Sequence, residues 1–149
     1  MSGPGCFTAT SERDMPHQLT VADLTPDEHE LFVQLQNESI QRYRGLAVKQ
    51  RIPAYMIEGL TDHVVFGRPV GGFLTAVLCN KLSESFAAAD AANEINIVNY
   101  VRFLYADAPA PCWGDPERVA AWARREGLRD SFLAAIQQDR VRPKRKAGP

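Results

Sequence analysis

The run Gly67-Arg68-Pro69-Val70-Gly71-Gly72-Phe73-Leu74-Thr75-Ala76-Val77-Leu78-Cys79-Asn80-Lys81-Leu82 constrains the fold more than any other stretch of the chain. A stiff Gly/Pro turn leads directly into the most apolar helix candidate. Phe73, Leu74, Val77, Leu78, Leu82 and Phe86 cover a wide arc at helical spacing, and Ala76 and Cys79 fill much of the rest. A helix that is apolar nearly all round must be enclosed by others. The spacing predicts one central helix from Gly71 or Gly72 to Ala88, with Asn80 as its polar exception. A buried amide needs hydrogen-bond partners, so Asn80 is expected to tie this helix to the loop at 109–114. Its alternative reading is the floor of a pocket.

The segments on either side read as amphipathic helices. In Thr25-Pro26-Asp27-Glu28, Thr25 suits an N-cap, Pro26 the first helical position and Glu28 the reciprocal place in a capping box. That helix is expected to run to about Lys49, with Leu31, Leu35, Ile40, Tyr43 and Phe32 as its apolar stripe. Ile52-Pro53 breaks the chain, because a residue before proline avoids the α region. A second helix over 53–66 then carries Met56, Ile57, Leu60, Val64 and Val65, and Gly67 stops it. Asp90 suits the N-cap of a helix over 91–106, with Glu94, Ile97, Val98, Val101, Leu104 and Tyr105 on one side. After a rigid loop, Asp115-Pro116-Glu117 repeats the cap-then-proline signal. Val119, Trp122 and Ala123 form the inner face of that helix, and Gly127 ends it. A last segment over 128–139 aligns Leu128, Phe132 and Ile136 at four-residue spacing. No stretch alternates as strands do. The expected fold is all-α, a compact bundle of about five to six helices with short Gly/Pro turns. The expected division is a disordered tail over 1–17, one helical domain over 18–139 and a basic disordered tail over 140–149.

The totals narrow the function classes. The 149 residues suit one domain, and a formal net charge of −1 lacks the basic excess usual for proteins that live on nucleic-acid backbone. Three widely spaced cysteines, Cys6, Cys79 and Cys112, fit reduced thiols better than a disulfide framework. No apolar run approaches the ~20 residues of a membrane span, and the N-terminus shows no secretory pattern. The expected location is the cytoplasm.

Chemistry-bearing constellations are sparse. His17, His29 and His63 lie in different segments and no Cys-x-x-Cys occurs, so nothing supplies the four converging donors of a zinc site. Cys79 sits in the apolar helix, where burial makes a thiol inert. Cys112, beside Trp113, is the better nucleophile candidate but has no local base, and loop packing is its ordinary role. The turn at Gly67–Gly72 precedes a helix N-terminus, which attracts anions, and Arg68 adds charge; it lacks the P-loop residues and otherwise reads as an interhelical turn. A helix–turn–helix reading of this pair fails, since the second helix is too apolar to face a DNA groove. Arg118, Arg124, Arg125 and Arg129, with the basic end Arg140, Arg142, Lys144, Arg145 and Lys146, form a weaker nucleic-acid candidate. Trp113, Trp122, Tyr100 and Tyr105 are either core or binding anchors, with Trp122 the safer core residue and Trp113 the more open one.

The middle of the chain resembles a family of small helical bacteriophage- and prophage-encoded proteins to which no function is attached. The shared pattern is Gly67-x-Pro69-x-Gly71-x-Phe73-Leu74-x-Ala76-Val77-Leu78-x-Asn80-x-Leu82, then Ala89-Asp90-x-x-Asn93, Phe103-Leu104-Tyr105, Ala108-Pro109, and Trp113-Gly114-x-Pro116-Glu117-x-Val119-x-x-Trp122. The chain departs from it at Lys81, where an acidic residue is usual, and at Phe103, where tyrosine is. The resemblance covers about 53–123 and implies a phage context without a site. The expected function is therefore a non-enzymatic phage or prophage accessory protein that binds another protein, with a host factor or defence system as the target. No metal or cofactor is implied. Arg68, Gly71, Gly72, Trp113 and Asp115 are the expected binding surface. The alternatives are a nucleic-acid binder using the basic C-terminal tail, and a small-nucleotide binder or enzyme using the turn at Gly67–Gly72.

Overall fold

The computed structural model describes residues 18–142, which contain seven α-helices and no strand. They are α1 (Pro26–Lys49), α2 (Ala54–Phe66), α3 (Gly72–Leu78), α4 (Leu82–Ala88), α5 (Ala91–Ala106), α6 (Pro116–Arg124) and α7 (Arg129–Val141). Short 3-10 turns lie at Val21–Asp23 and Ala110–Cys112. Helix starts follow local chemistry closely. The Thr25 hydroxyl accepts from the Glu28 N–H at 3.2 Å while the Glu28 carboxylate accepts from the Thr25 N–H at 3.0 Å. Asp90 and Asp115 cap α5 and α6 through the N–H groups of Asn93 and Arg118, each at 2.8 Å. Pro53 stands just outside α2 as its N-cap rather than as its first residue.

The helix expected over 71–88 is two helices, which brings the count to seven. Asn80 adopts the left-handed conformation, φ 61°. The Lys81 N–H then reaches back to the Ala76 carbonyl at 2.9 Å and the Asn80 N–H to Val77 at 3.1 Å. This is the paired hydrogen-bond closure of a Schellman stop. Asparagine tolerates left-handed backbone better than most residues, so Asn80 ends α3 instead of continuing it. Asn80 is exposed, and Leu82 and Phe86 beyond it are exposed too, contrary to the continuous apolar arc. Arg51 and Glu126 close α1 and α6 the same way, with φ of 62° and 55°.

The core centres on α2. Leu60, Thr61, His63, Val64 and Val65 are all buried. α1 packs on α2 and on α7, and α3 packs on α4 and α5. Phe32 of α1 meets Phe132 of α7 edge-on at 5.9 Å, and Phe73 of α3 meets Tyr100 of α5 at 5.2 Å. The loop at 109–114 is fastened as expected, but by backbone. The Gly114 N–H donates to the Leu78 carbonyl at 2.8 Å, so the partner is the end of α3 and not the Asn80 amide.

Two glycines that read as separate helix stops form one junction. Gly67 (φ 69°) and Gly127 (φ 64°) bring the ends of α2 and α6 together, and the Leu128 N–H donates to the Val65 carbonyl at 3.0 Å. A Cβ on Gly127 would lie 2.5 Å from the Val65 oxygen, and one on Gly67 would lie 2.8 Å from the Trp122 oxygen. No side chain fits either gap. α7 continues past Asp139 to Val141, so Arg140 is helical rather than part of a tail. Its guanidinium grips the Glu28 carboxylate through two hydrogen bonds, at 2.5 and 2.6 Å. The expected tail over 1–17 lies outside the described residues, as does the part of the expected 140–149 tail from 143 onward, with Lys144, Arg145 and Lys146. Among the described residues, no helix is long and apolar enough to cross a membrane.

Candidate functional site

The least explained surface of the molecule is one face of α5. The helix buries Asn93, Ile97, Tyr100, Phe103 and Leu104. Tyr100 donates to the Asn93 amide oxygen at 2.6 Å inside that contact, so the two buried polar groups satisfy each other. Burial holds the Tyr100 phenol above its ordinary pKa, which keeps it a donor. The residues that read as one side of this helix are split by the fold. Ile97 and Leu104 turn inward, while Glu94, Val98, Val101 and Tyr105 turn out.

The outward face is a continuous stripe. Ala91, Glu94, Ile95, Val98, Val101, Arg102 and Tyr105 recur at three- and four-residue steps, which places them on one side of a helix. All seven are exposed. Ile95 is 78% exposed, Val98 53%, Val101 44% and Tyr105 83%. Single exposed aliphatics are ordinary, but a contiguous apolar stripe marks an interaction surface. At one end Tyr105 lies against Trp113, ring centroids 6.4 Å apart. At the other, the Tyr55 hydroxyl donates to the Asp90 carboxylate at 2.5 Å and anchors the start of α5 to α2. That bond lowers the Asp90 pKa and raises that of Tyr55.

The residues expected to form a site are only partly brought together. Trp113 and Asp115 flank Gly114 at the Leu78 end of α3, and Trp113 reaches the Tyr105 end of the stripe. Arg68 turns elsewhere. Its guanidinium lies 4.5 Å from the Phe66 ring and 3.4 Å from Asp62. It lines a groove of about 320 Å³ with Phe32, Phe132, Glu126 and Arg129. Arg129 is paired with Glu126 and with Asp130 at 3.4 Å, so both cations in that groove have acidic partners. Gly71 and Gly72 are exposed, and a Cβ on either meets nothing within 4 Å. They cradle nothing that a larger residue would displace.

The nucleophile candidates are buried, and several of the cation candidates are engaged within the chain. Cys112 is fully buried, and burial pushes its thiol up to about 12, so it does not ionise near neutral pH. Cys79 is buried, and its thiol is likewise raised. His63 is a core residue. Its Nε2 lies 2.8 Å from the Cys112 carbonyl, and its own carbonyl accepts from the Trp122 indole N–H at 2.8 Å. Burial lowers its pKa, so the neutral ring is favoured. Arg118 lies 3.8 Å from Asp115, and Arg125 sits over the Trp122 ring at 4.8 Å. Arg140 is held by Glu28, and Arg142 is exposed one residue beyond α7. Among the described residues, no three His, Cys, Asp or Glu side chains converge as metal ligands would.

The α5 stripe escaped the sequence reading because its apolar residues sit beside the inward ones, and both sets share the helical period. The chain matches no family model, and no curated protein or solved structure matches it.

Proposed function

We propose that this chain is a non-enzymatic accessory protein that works by binding protein through the outer face of α5 and the adjoining Trp113 loop. The observation that carries this reading is the exposed stripe from Ile95 to Tyr105, with four large apolar side chains on one helix face. An amphipathic helix face of this kind is a common surface for helical or groove partners. Trp113 and Tyr105 supply the aromatic pair that interfaces favour as anchors. The resemblance to phage-encoded proteins supplies the setting, a phage or prophage product meeting a factor in a bacterial cell. Nucleic-acid binding by the basic end draws less support, because Arg140 is already engaged by Glu28.

A pull-down of the tagged protein from nuclease-treated bacterial lysate tests the reading. Tyr105→Ala and Val98→Asp are expected to abolish capture of the bound protein, and Arg68→Glu to leave it intact. Capture that ignores the α5 variants would overturn the reading.

A further inference from the structure

The charge and size pattern along the α5 stripe is symmetric about its midpoint. Val98 is the centre. Glu94 and Arg102 lie four residues to either side of it, Ile95 and Val101 three, and Ala91 and Tyr105 seven. Each pair holds opposite charges, two aliphatics, or one small and one large side chain. All of these residues are exposed. Glu94 and Arg102 stand roughly 12 Å apart along the axis at 1.5 Å per residue, too far to pair with each other. Neither has an ion-pair partner among the described residues.

We infer that the α5 stripe takes a second copy of this chain, with the two α5 helices antiparallel about a twofold axis at Val98. This inference rests on the reading of the stripe as a protein-binding face and names its occupant. In that arrangement Glu94 of one copy meets Arg102 of the other, twice. Ile95 meets Val101, Val98 meets Val98, and Tyr105 fills the space left by Ala91. A twofold interface must be self-complementary in this way, because each residue faces the mirror position on the same surface. A parallel arrangement would set Glu94 against Glu94 and Arg102 against Arg102, which like-charge repulsion disfavours. The steps along the stripe, three and four residues alternately, are those of helices that pack at a shallow crossing angle. The Tyr105–Trp113 end of one copy then lies beside the Tyr55–Asp90 end of the other, extending the contact beyond the two helices.

Sedimentation velocity over a concentration series tests the proposal with the full chain. The wild type is expected to pass from monomer to dimer as concentration rises. Glu94→Arg and Arg102→Glu singly are expected to weaken association by roughly tenfold or more, since each creates two like-charge contacts across the axis. The double variant Glu94→Arg/Arg102→Glu is expected to restore it, because the swapped charges are again complementary. Val98→Asp is expected to give monomer throughout. Circular dichroism on each variant checks that the exposed substitution leaves the helices intact. A wild type that stays monomeric at every concentration overturns the second-copy proposal, and so does a dimer in which the charge swap fails to rescue. Loss of lysate capture by Val98→Asp in a monomeric wild type would leave the protein-binding reading standing while removing this one.

Discussion

α2 and the outer face of α5 carry similar aliphatic side chains and end in opposite environments. In α2, Leu60, Val64 and Val65 are almost completely buried. In α5, Ile95, Val98 and Val101 stay in water. The difference lies in what surrounds each helix. α1 lies against α2, and the loop at 109–114 and the Trp122 indole close over His63. α5 packs on α3 with one face and leaves the other open. An apolar residue thus states a need for cover, and its neighbours in space decide whether that need is met within the chain or between chains.

Substitutions that strike the α2 surroundings should cost most. Trp122→Ala removes a buried indole and takes from the His63 carbonyl one of its two donors, the other being the Gly67 N–H at 2.9 Å. It is expected to destabilise the fold by about 3–5 kcal/mol, read by urea unfolding. Gly127→Ala strikes the same junction, forcing a Cβ to 2.5 Å from the Val65 oxygen in left-handed backbone. A loss of comparable size is expected, and a fold that tolerates it would show that the two turns are not locked.

Acid should weaken the same region. Burial holds the folded His63 below its ordinary 6.5, so the unfolded chain binds a proton that the folded chain refuses. The stability linked to this group is complete above about pH 6.5 and is lost as pH falls below it. The melting temperature is expected to drop between pH 7.5 and pH 5. His63→Gln keeps a donor for the Cys112 carbonyl without the titration, and it should flatten that drop. Glu28, held near a pKa of about 2 mainly by its Arg140 partner, contributes only further down, below its ordinary 4.5. Its stability is present above that value and fades toward 2. Glu28→Gln is expected to raise hydrogen exchange at the end of α7 with little change in global stability.

The thiols sharpen the contrast between inside and outside. Alkylation of Cys112 and Cys79 in the native state should be slow and should accelerate on unfolding, measured by mass spectrometry with and without urea. Val98→Asp marks the other extreme. On the open face of α5 it should shift stability by no more than about 0.5 kcal/mol, while changing association. A large loss of stability there would mean that the stripe is covered within the chain.

How much was legible follows the same division. Helix starts at Thr25, Asp90 and Asp115 were readable because a cap is chemistry among residues within four positions of one another. The Gly67 stop was readable for the same reason, whereas α6 closes at Glu126, one residue before the expected Gly127. Asn80, Arg51 and Glu126 were not, because they take left-handed backbone without being glycine, and the hydrogen bonds that fix the turn form only once the helix has closed. The expected site was half assembled. Trp113 and Asp115 share one surface, whereas Arg68 turns to Phe66 and Asp62. His63 illustrates the same limit: nothing local places it between the Cys112 carbonyl and Trp122.

By itself the sequence determined an all-helical chain and set most of its boundaries, since capping, proline geometry and helical period act over a few residues. Only the tertiary structure decided which helix faces are buried. Burial depends on neighbours far away in the chain, such as the meeting of Gly67 with Gly127 and of His63 with Cys112 and Trp122. That is why α2 became the core, and why the Ile95–Tyr105 stripe of α5 remained open.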